Sequence, residues 1–275
     1  MYTFINNIDD LAFLNTELLS KSVLGVDTEF RRTTKDNMRL GLLQINDGEE
    51  IYLIDTVLIN NPYEHASFLY SNSVTKVFHS CKEDLEAIYA WTNKIMCNVF
   101  DTQIANSLLE DDYSIGYQGL VEKKLGIVLE KKETRSNWIK RPLTDAQLKY
   151  AALDVEYLIH IYKFQSEALA ESKKLKWLNE DIEKIITTIF DPEVDHNDLT
   201  RVISKSEEIE LLLKFNKTIE RIAEDKKINS TLFFSKKAQK DFLRKVFIDG
   251  IEPACEEITN WRRKLIKDDL IKILK

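Results

Sequence analysis

The chain has 275 residues, 44% of them hydrophobic, with a formal charge of −7 and a pI near 5.4. That length suits one large domain or two modest ones, and the acidic balance argues against a protein that only coats nucleic acid, though not against a local basic groove. The three cysteines, Cys81, Cys97 and Cys255, are odd in number and lack CxxC spacing, so no disulfide framework or zinc site is implied and a reducing cytoplasm is expected.

The opening "MYTFINNIDDLAFLN" has no basic region followed by an apolar core, so it does not read as a secretory signal. No apolar run approaches the roughly 18 residues of a membrane span, and no membrane partner is expected. Three strand-like runs come first: "VLGVDTEF" (23–30), "RLGLLQIN" (39–46) and "EIYLIDT" (50–56), with "NDGE" (46–49) as a hairpin turn. The pattern then predicts a helix over 63–72, a strand over 75–80, a helix over 82–92, a short strand over 98–102 and a helix over 103–110. From about 118 onward helix dominates. A hairpin set followed by β/α alternation predicts an α/β fold, a mixed sheet flanked by helices. Pro192 and a cluster of acids in "FDPEVDHNDLT" (190–200) predict a boundary, giving domains over 1–192 and 200–275, the second all-α.

Candidate chemistry rests on acids. Asp27 and Glu29 sit two apart in an apolar strand, so both project from one face. Adjacent carboxylates repel unless a cation lies between them, and oxygen donors without nearby Cys or His favour Mg²⁺ or Mn²⁺ over zinc. The competing reading is a pair of acids on a solvated edge. Asp84 opens the helix after strand 75–80, where an acid also complements the helix dipole. Asp154 interrupts the apolar helical run "LKYAALDVEYLIHIY", one turn beyond Tyr150; a buried acid there needs pairing or metal.

Together, "VDTEF", "KVFHSCKEDLEAIY" and "QLKYAALDVEYL" resemble the three motifs of the RNase D family, DEDD-type 3′→5′ exonucleases with an RNase H-like sheet. The intervening "FDTQIANSLL", "SIGYQGLVEKKLGI" and "SNWIKRPLTDAQ" are similar too, and the resemblance covers about residues 1–190. Asn137 departs from it, standing where the family commonly has Asp before the Trp. Tyr150, four residues before Asp154, marks the tyrosine subtype; a related subtype carries His five before, where this chain has Lys149.

The resemblance implies that Asp27, Glu29, Asp84 and Asp154 hold two divalent cations, Mg²⁺ or Mn²⁺, and that Tyr150 orients the attacking water. It implies a 3′→5′ exoribonuclease that releases 5′-mononucleotides from RNA 3′ ends, tRNA precursors among them. The alternative is a proofreading-type DNA exonuclease on the same fold. Phe30, Gln44 and His79 are candidate substrate contacts, each with core packing or a structural hydrogen bond as its competing role. Residues 123–141 carry seven Lys or Arg against two Glu, and Lys131 and Arg141 are the candidates there for phosphate binding. No phosphate-loop, dinucleotide or nucleophile-elbow motif is present, so no nucleotide cofactor is expected. The tail, with "INSTLFFSKKAQKDFL" and "NWRRKLIKDDLIKIL", resembles an HRDC domain, the helical module that follows the nuclease in RNase D.

Overall fold

A computed structural model of the chain describes residues 2–34, 37–60, 62–109, 112–129, 136–190 and 205–273. The three apolar runs form β2 (Val23–Thr34), β3 (Asn37–Asn46) and β4 (Ile51–Asp55), an antiparallel set. The β3–β4 turn is closed by Asp47, whose Oδ1 accepts from the Glu49 and Glu50 amides at 2.9 and 2.8 Å, while Gly48 takes φ +93°. β5 (Thr75–Phe78) and β6 (Val99–Asp101) add in parallel on the β2 side, and β1 (Thr3–Ile5) adds in parallel to β4. Among the described residues the six strands make one mixed sheet, ordered β1-β4-β3-β2-β5-β6. The expected α/β architecture is what the chain adopts.

Two early elements escaped the pattern reading. β1 is only three residues long, below what alternation resolves. α1 (Ile8–Leu18) starts at an ordinary signal, Asn7, whose side chain accepts from the Asp10 amide at 2.9 Å. The helix expected over 63–72 is instead two single 3₁₀ turns, Pro62–Glu64 and Ser67–Tyr70. Tertiary contacts explain the second: Asn15 Oδ1 accepts from the Phe68 amide at 3.1 Å, and Phe68 and Leu69 are fully buried. The remaining helices of this half are α2 (Lys82–Thr92), α3 (Thr102–Leu109), α4 (Tyr117–Leu125), α5 (Asp145–Glu156) and α6 (Leu158–Glu171).

By packing, the chain forms two compact units, Met1–Gln103 with Ile115–Glu167, and Ile104–Ser114 with Ala168–Lys275. The division falls inside α3 and α6, whereas the junction expected at 190–200 lies outside the described residues. Besides most of α3 and the end of α6, the second unit holds α7 (Leu175–Phe190), α8 (Lys205–Lys226), α9 (Ser230–Phe233), α10 (Lys236–Asp249), α11 (Ile251–Glu256) and α12 (Asn260–Ile273). Its centre is Trp261, stacked on Trp177 at 4.9 Å and on Phe233 at 5.5 Å between ring centroids. The Trp261 indole N–H donates to Asp181 Oδ1 at 2.8 Å, and Arg262 pairs with the same carboxylate while donating to the Phe233 and Leu232 carbonyls. α7 therefore belongs to the packing of the helices that follow it. Trp261→Ala removes both stacks and one donor to a buried acid, so it should cost about 3–5 kcal/mol. Denaturant unfolding of the full chain checks this as a fall in the transition that reports the helical unit.

Candidate active site

β2 is central, hydrogen-bonded to β3 on one side and β5 on the other. Its alternation sends Asp27 and Glu29 to one face and Thr28 to the other. The register places Asp27 opposite Gln44 and Glu29 opposite Leu42, and a shift between Glu29 and Phe30 breaks the ladder just beyond. Such an irregularity bends a strand and re-aims its side chains at a site.

α5 covers that face. Ala151 packs with Leu42, Leu53 and Trp138, and Tyr150 packs against the same cluster. The helix is fixed at both ends. At its start Thr144 and Gln147 form a reciprocal cap, the Gln147 amide donating to Thr144 Oγ1 at 3.2 Å and the Thr144 amide to Gln147 Oε1 at 3.0 Å. At its end Asn46 Nδ2 donates to the Val155 and Glu156 carbonyls, both at 3.0 Å. The Tyr117 hydroxyl donates to the Leu153 carbonyl at 3.3 Å and accepts from the Tyr157 amide at 3.0 Å. Gly25 permits the close seating: a Cβ there would lie 3.1 Å from Leu158 Cβ and 3.3 Å from the Val155 carbonyl oxygen.

This seating brings Asp154 to the β2 acids. Asp27, Glu29 and Asp154 each offer an oxygen, and the three oxygens lie within 4.8 Å of one another. Asp84, in the first turn of α2, stands outside that group but close enough to raise both Asp27 and Glu29. It is 7% exposed and accepts a short hydrogen bond from the Thr28 hydroxyl. The start of α2 is set by Asp101 at the end of β6, which accepts from the Ser80 and Cys81 amides at 3.2 and 2.7 Å. Arg32 of β2 pairs with Glu86 of α2, tying that helix to the strand.

The electrostatics follow from crowding in a dry place. Burial, then Asp84 and Asp154, hold the Asp27 carboxyl well above the usual carboxylate range. Burial and the Asp154 and Asp84 charges push Glu29 up to about 9. Burial raises Asp84 to about 7, against the opposing Thr28 hydrogen bond, and Asp154 to about 6, against a hydrogen bond from Tyr150. The Tyr150 phenol is raised by burial and by Asp154, so it keeps its proton and donates. A cluster of oxygen donors that cannot all ionise without a counter-charge fits hard divalent cations, and no thiol or imidazole stands in the three-acid group.

The other residues singled out from sequence fall in different places. His79 is engaged at both nitrogens: Nε2 donates to the Ile115 carbonyl at 3.0 Å, which leaves Nδ1 to accept from the Thr102 hydroxyl at 2.8 Å. Burial lowers its pKa, consistent with a neutral structural imidazole. The Arg141 guanidinium is likewise committed, with Nε and Nη2 on Asp55 at 2.5 and 2.7 Å, Nη2 also on the Gly41 carbonyl at 2.6 Å, and Nη1 on the Trp138 and Lys140 carbonyls at 2.8 and 3.0 Å. Those five bonds use all five of its donors, and none is left for a phosphate. Phe30 is half-buried beside the register shift. Gln44 is fully buried on the Asp27 face, and Lys131 lies outside the described residues. Sequence reasoning did not single out Thr28, Asn46, Asp101 or Tyr117. Asp101 carried a weak signal, an acid ending a strand directly before a helix.

A family profile described as 3′-5′ exonuclease matches residues 2–169. Ribonuclease D of Shewanella sp. (strain ANA-3) is 37% identical over 185 residues, 67% of this chain and 48% of its own length. Ribonuclease D of Pseudomonas paraeruginosa is 39% identical over 173 residues, 63% of this chain and 46% of its own. The crystal structure of Escherichia coli RNase D, described as an exoribonuclease involved in structured RNA processing, is similar at a TM-score of 0.67 and 25% identity, over 100% of this chain and 74% of that one. The chain thus spans about half the length of the curated relatives it matches. The β2 acids, Asp84, Tyr150 and Asp154 all fall inside the matched segment, and the chain belongs to the 3′-5′ exonuclease family.

Proposed function

We propose that this chain is a metal-dependent 3′→5′ exoribonuclease that releases 5′-mononucleotides from RNA 3′ ends, structured RNAs such as tRNA precursors among them. The observation that carries the reading is the three-acid group, with one oxygen each from Asp27, Glu29 and Asp154 within 4.8 Å. The choice of RNA draws support from the ribonuclease D relatives. Asp27, Glu29 and Asp154 would hold divalent ions, Mg²⁺ or Mn²⁺, with Asp84 supporting from the first turn of α2. Bound ions would supply charge neutralisation at the scissile phosphate and acidify water for attack. Tyr150 would orient that water through its hydroxyl, as a donor and not as a base, since its proton is held more tightly than in water. Phe30, next to Glu29 at the register shift of β2, would meet a terminal base, a role in which aromatic stacking is sequence-tolerant. The cytoplasm is the proposed location, in keeping with three free thiols. The helical unit, with six Lys or Arg among its last 15 residues, is proposed to grip RNA.

Digestion of end-labelled RNA and matched DNA with Mg²⁺ or Mn²⁺ tests this. Loss of mononucleotides from the 3′ end of RNA, absent in Asp27→Asn, is expected. A preference for DNA would reassign the substrate, and full turnover in Asp27→Asn would remove the metal reading altogether.

The two α5 residues should separate. Tyr150→Phe keeps the ring and loses one hydrogen bond, so turnover should fall about 10²–10⁴-fold with metal affinity nearly unchanged. Asp154→Asn should lose both. Calorimetric metal titration beside single-turnover cleavage reads the difference.

The raised carboxyls also set a pH dependence with a definite sign. Their folded values, about 6, 7 and 9, exceed the unfolded values near 4, so the folded metal-free protein binds more protons than the unfolded chain across that interval. Stability is therefore fully present below about pH 4 for these groups and is lost as pH rises through 6 to 9. Thermal melts in chelator should show a lower midpoint at pH 8.5 than at pH 5.5, and added Mn²⁺ should raise the midpoint most at the alkaline end.

A further inference from the structure

Gln44 is fully buried on β3, and neither its amide nitrogen nor its amide oxygen has a hydrogen-bond partner. An unmade buried hydrogen bond is costly, and a Gln has two such groups. Its surroundings leave little choice of partner. Directly opposite on β4 stands Leu53, and two residues away on the same strand face stands Leu42, both fully buried and packed with Ala151 and Trp138. Asn46, two residues the other way, has its amide nitrogen on the Val155 and Glu156 carbonyls and its oxygen on the Gly48 amide. Opposite Gln44 on β2 stands Asp27, on the same face of the sheet. Directly opposed Cβ atoms in an antiparallel pair lie about 4.5–5.5 Å apart, within the reach of a Gln side chain.

Resting on the metal-dependent reading above, we propose that Gln44 is a positioning residue for the metal site. Its amide N–H donates to Asp27 when that carboxylate binds cations, fixing which oxygen lone pairs face the ions. Ligating carboxylates are generally held in this way by a hydrogen bond from behind, and losing such a partner typically costs about 10–100-fold in metal affinity. Gln44 has no exposed surface, so it acts through Asp27 and not on substrate.

The test is Gln44→Met, an unbranched replacement of similar length that removes both polar atoms. Two readouts should part. The melting temperature in chelator should be unchanged or raised by a few degrees, because two unpartnered polar atoms leave an apolar site. Affinity for Mn²⁺, titrated calorimetrically on the full chain, should fall at least about tenfold. Mn²⁺ binding as tight as in the parent would overturn the proposal and leave Gln44 to packing. A variant that unfolds would overturn it too, since the amide would then be making a structural bond in the metal-free state. If the parent itself binds no Mn²⁺, the failure lies with the metal-dependent reading and not with Gln44.

Discussion

Three carboxylates with oxygens inside 4.8 Å repel one another, and the hydrogen bond from Tyr150 to Asp154 does not bring the other two together. Like charges at this distance in a partly desolvated place favour protonation or separation over shared ionisation: burial first, and then the neighbouring charges, raise the Asp27 and Glu29 carboxyls. The convergence is thus imposed from outside by backbone. Two acids are locked by the ladder of a central strand, which cannot slip by one residue without turning its apolar set outward. The third is locked by a helix laid across that strand. Each contact that seats α5 therefore works against electrostatic repulsion as well as against chain entropy.

That requirement accounts for otherwise unrelated polar residues. Asn46 ends α5 by donating to its last carbonyls, those of Val155 and Glu156, and Tyr117 ties the α5–α6 junction beside Asp154. Before the helix, Arg141 joins the middle of β3 and the end of β4 to the segment around Trp138, which in turn packs on Tyr150 at 6.2 Å between centroids. Gly41 is small for the same purpose: a Cβ there would fall 2.5 Å from the Trp138 carbonyl oxygen. A basic residue near an acidic site invites a phosphate-binding role. Here the buried Asp55 and three carbonyls use all of its donors, so its contribution is to hold the start of the helix that carries Tyr150 and Asp154.

What was legible in the sequence had a local period. The β2–β4 set and α2 read correctly because alternation and helical spacing persist over enough residues to outweigh local noise. Asp27 with Glu29 read as a pair for the same reason, since strand geometry alone fixes their common face. The elements that failed depend on distant partners. Residues 63–72 have helical spacing but surrender it to Asn15, some fifty residues earlier. The supporting residues Thr28, Asp101 and Tyr117 look ordinary in sequence because their value lies in which amide, hydroxyl or carboxylate the fold brings to them. Arg141 misled for the same reason: charge is visible in sequence, whereas the consumption of that charge by Asp55, 86 residues away, is not.

The short separation of Tyr150 from Asp154 links the two roles proposed for α5. One helical turn apart, the phenol donates to the carboxylate in the metal-free protein, and this bond lowers the Asp154 pKa while raising that of Tyr150. Cations held by Asp154 would compete for the carboxylate oxygens that the phenol now uses. The same competition would turn the O–H away from Asp154 and towards whatever lies over the acids. A helix seated rigidly at both ends keeps the ring in place through that exchange. Only a hydroxyl would then have to find a new acceptor.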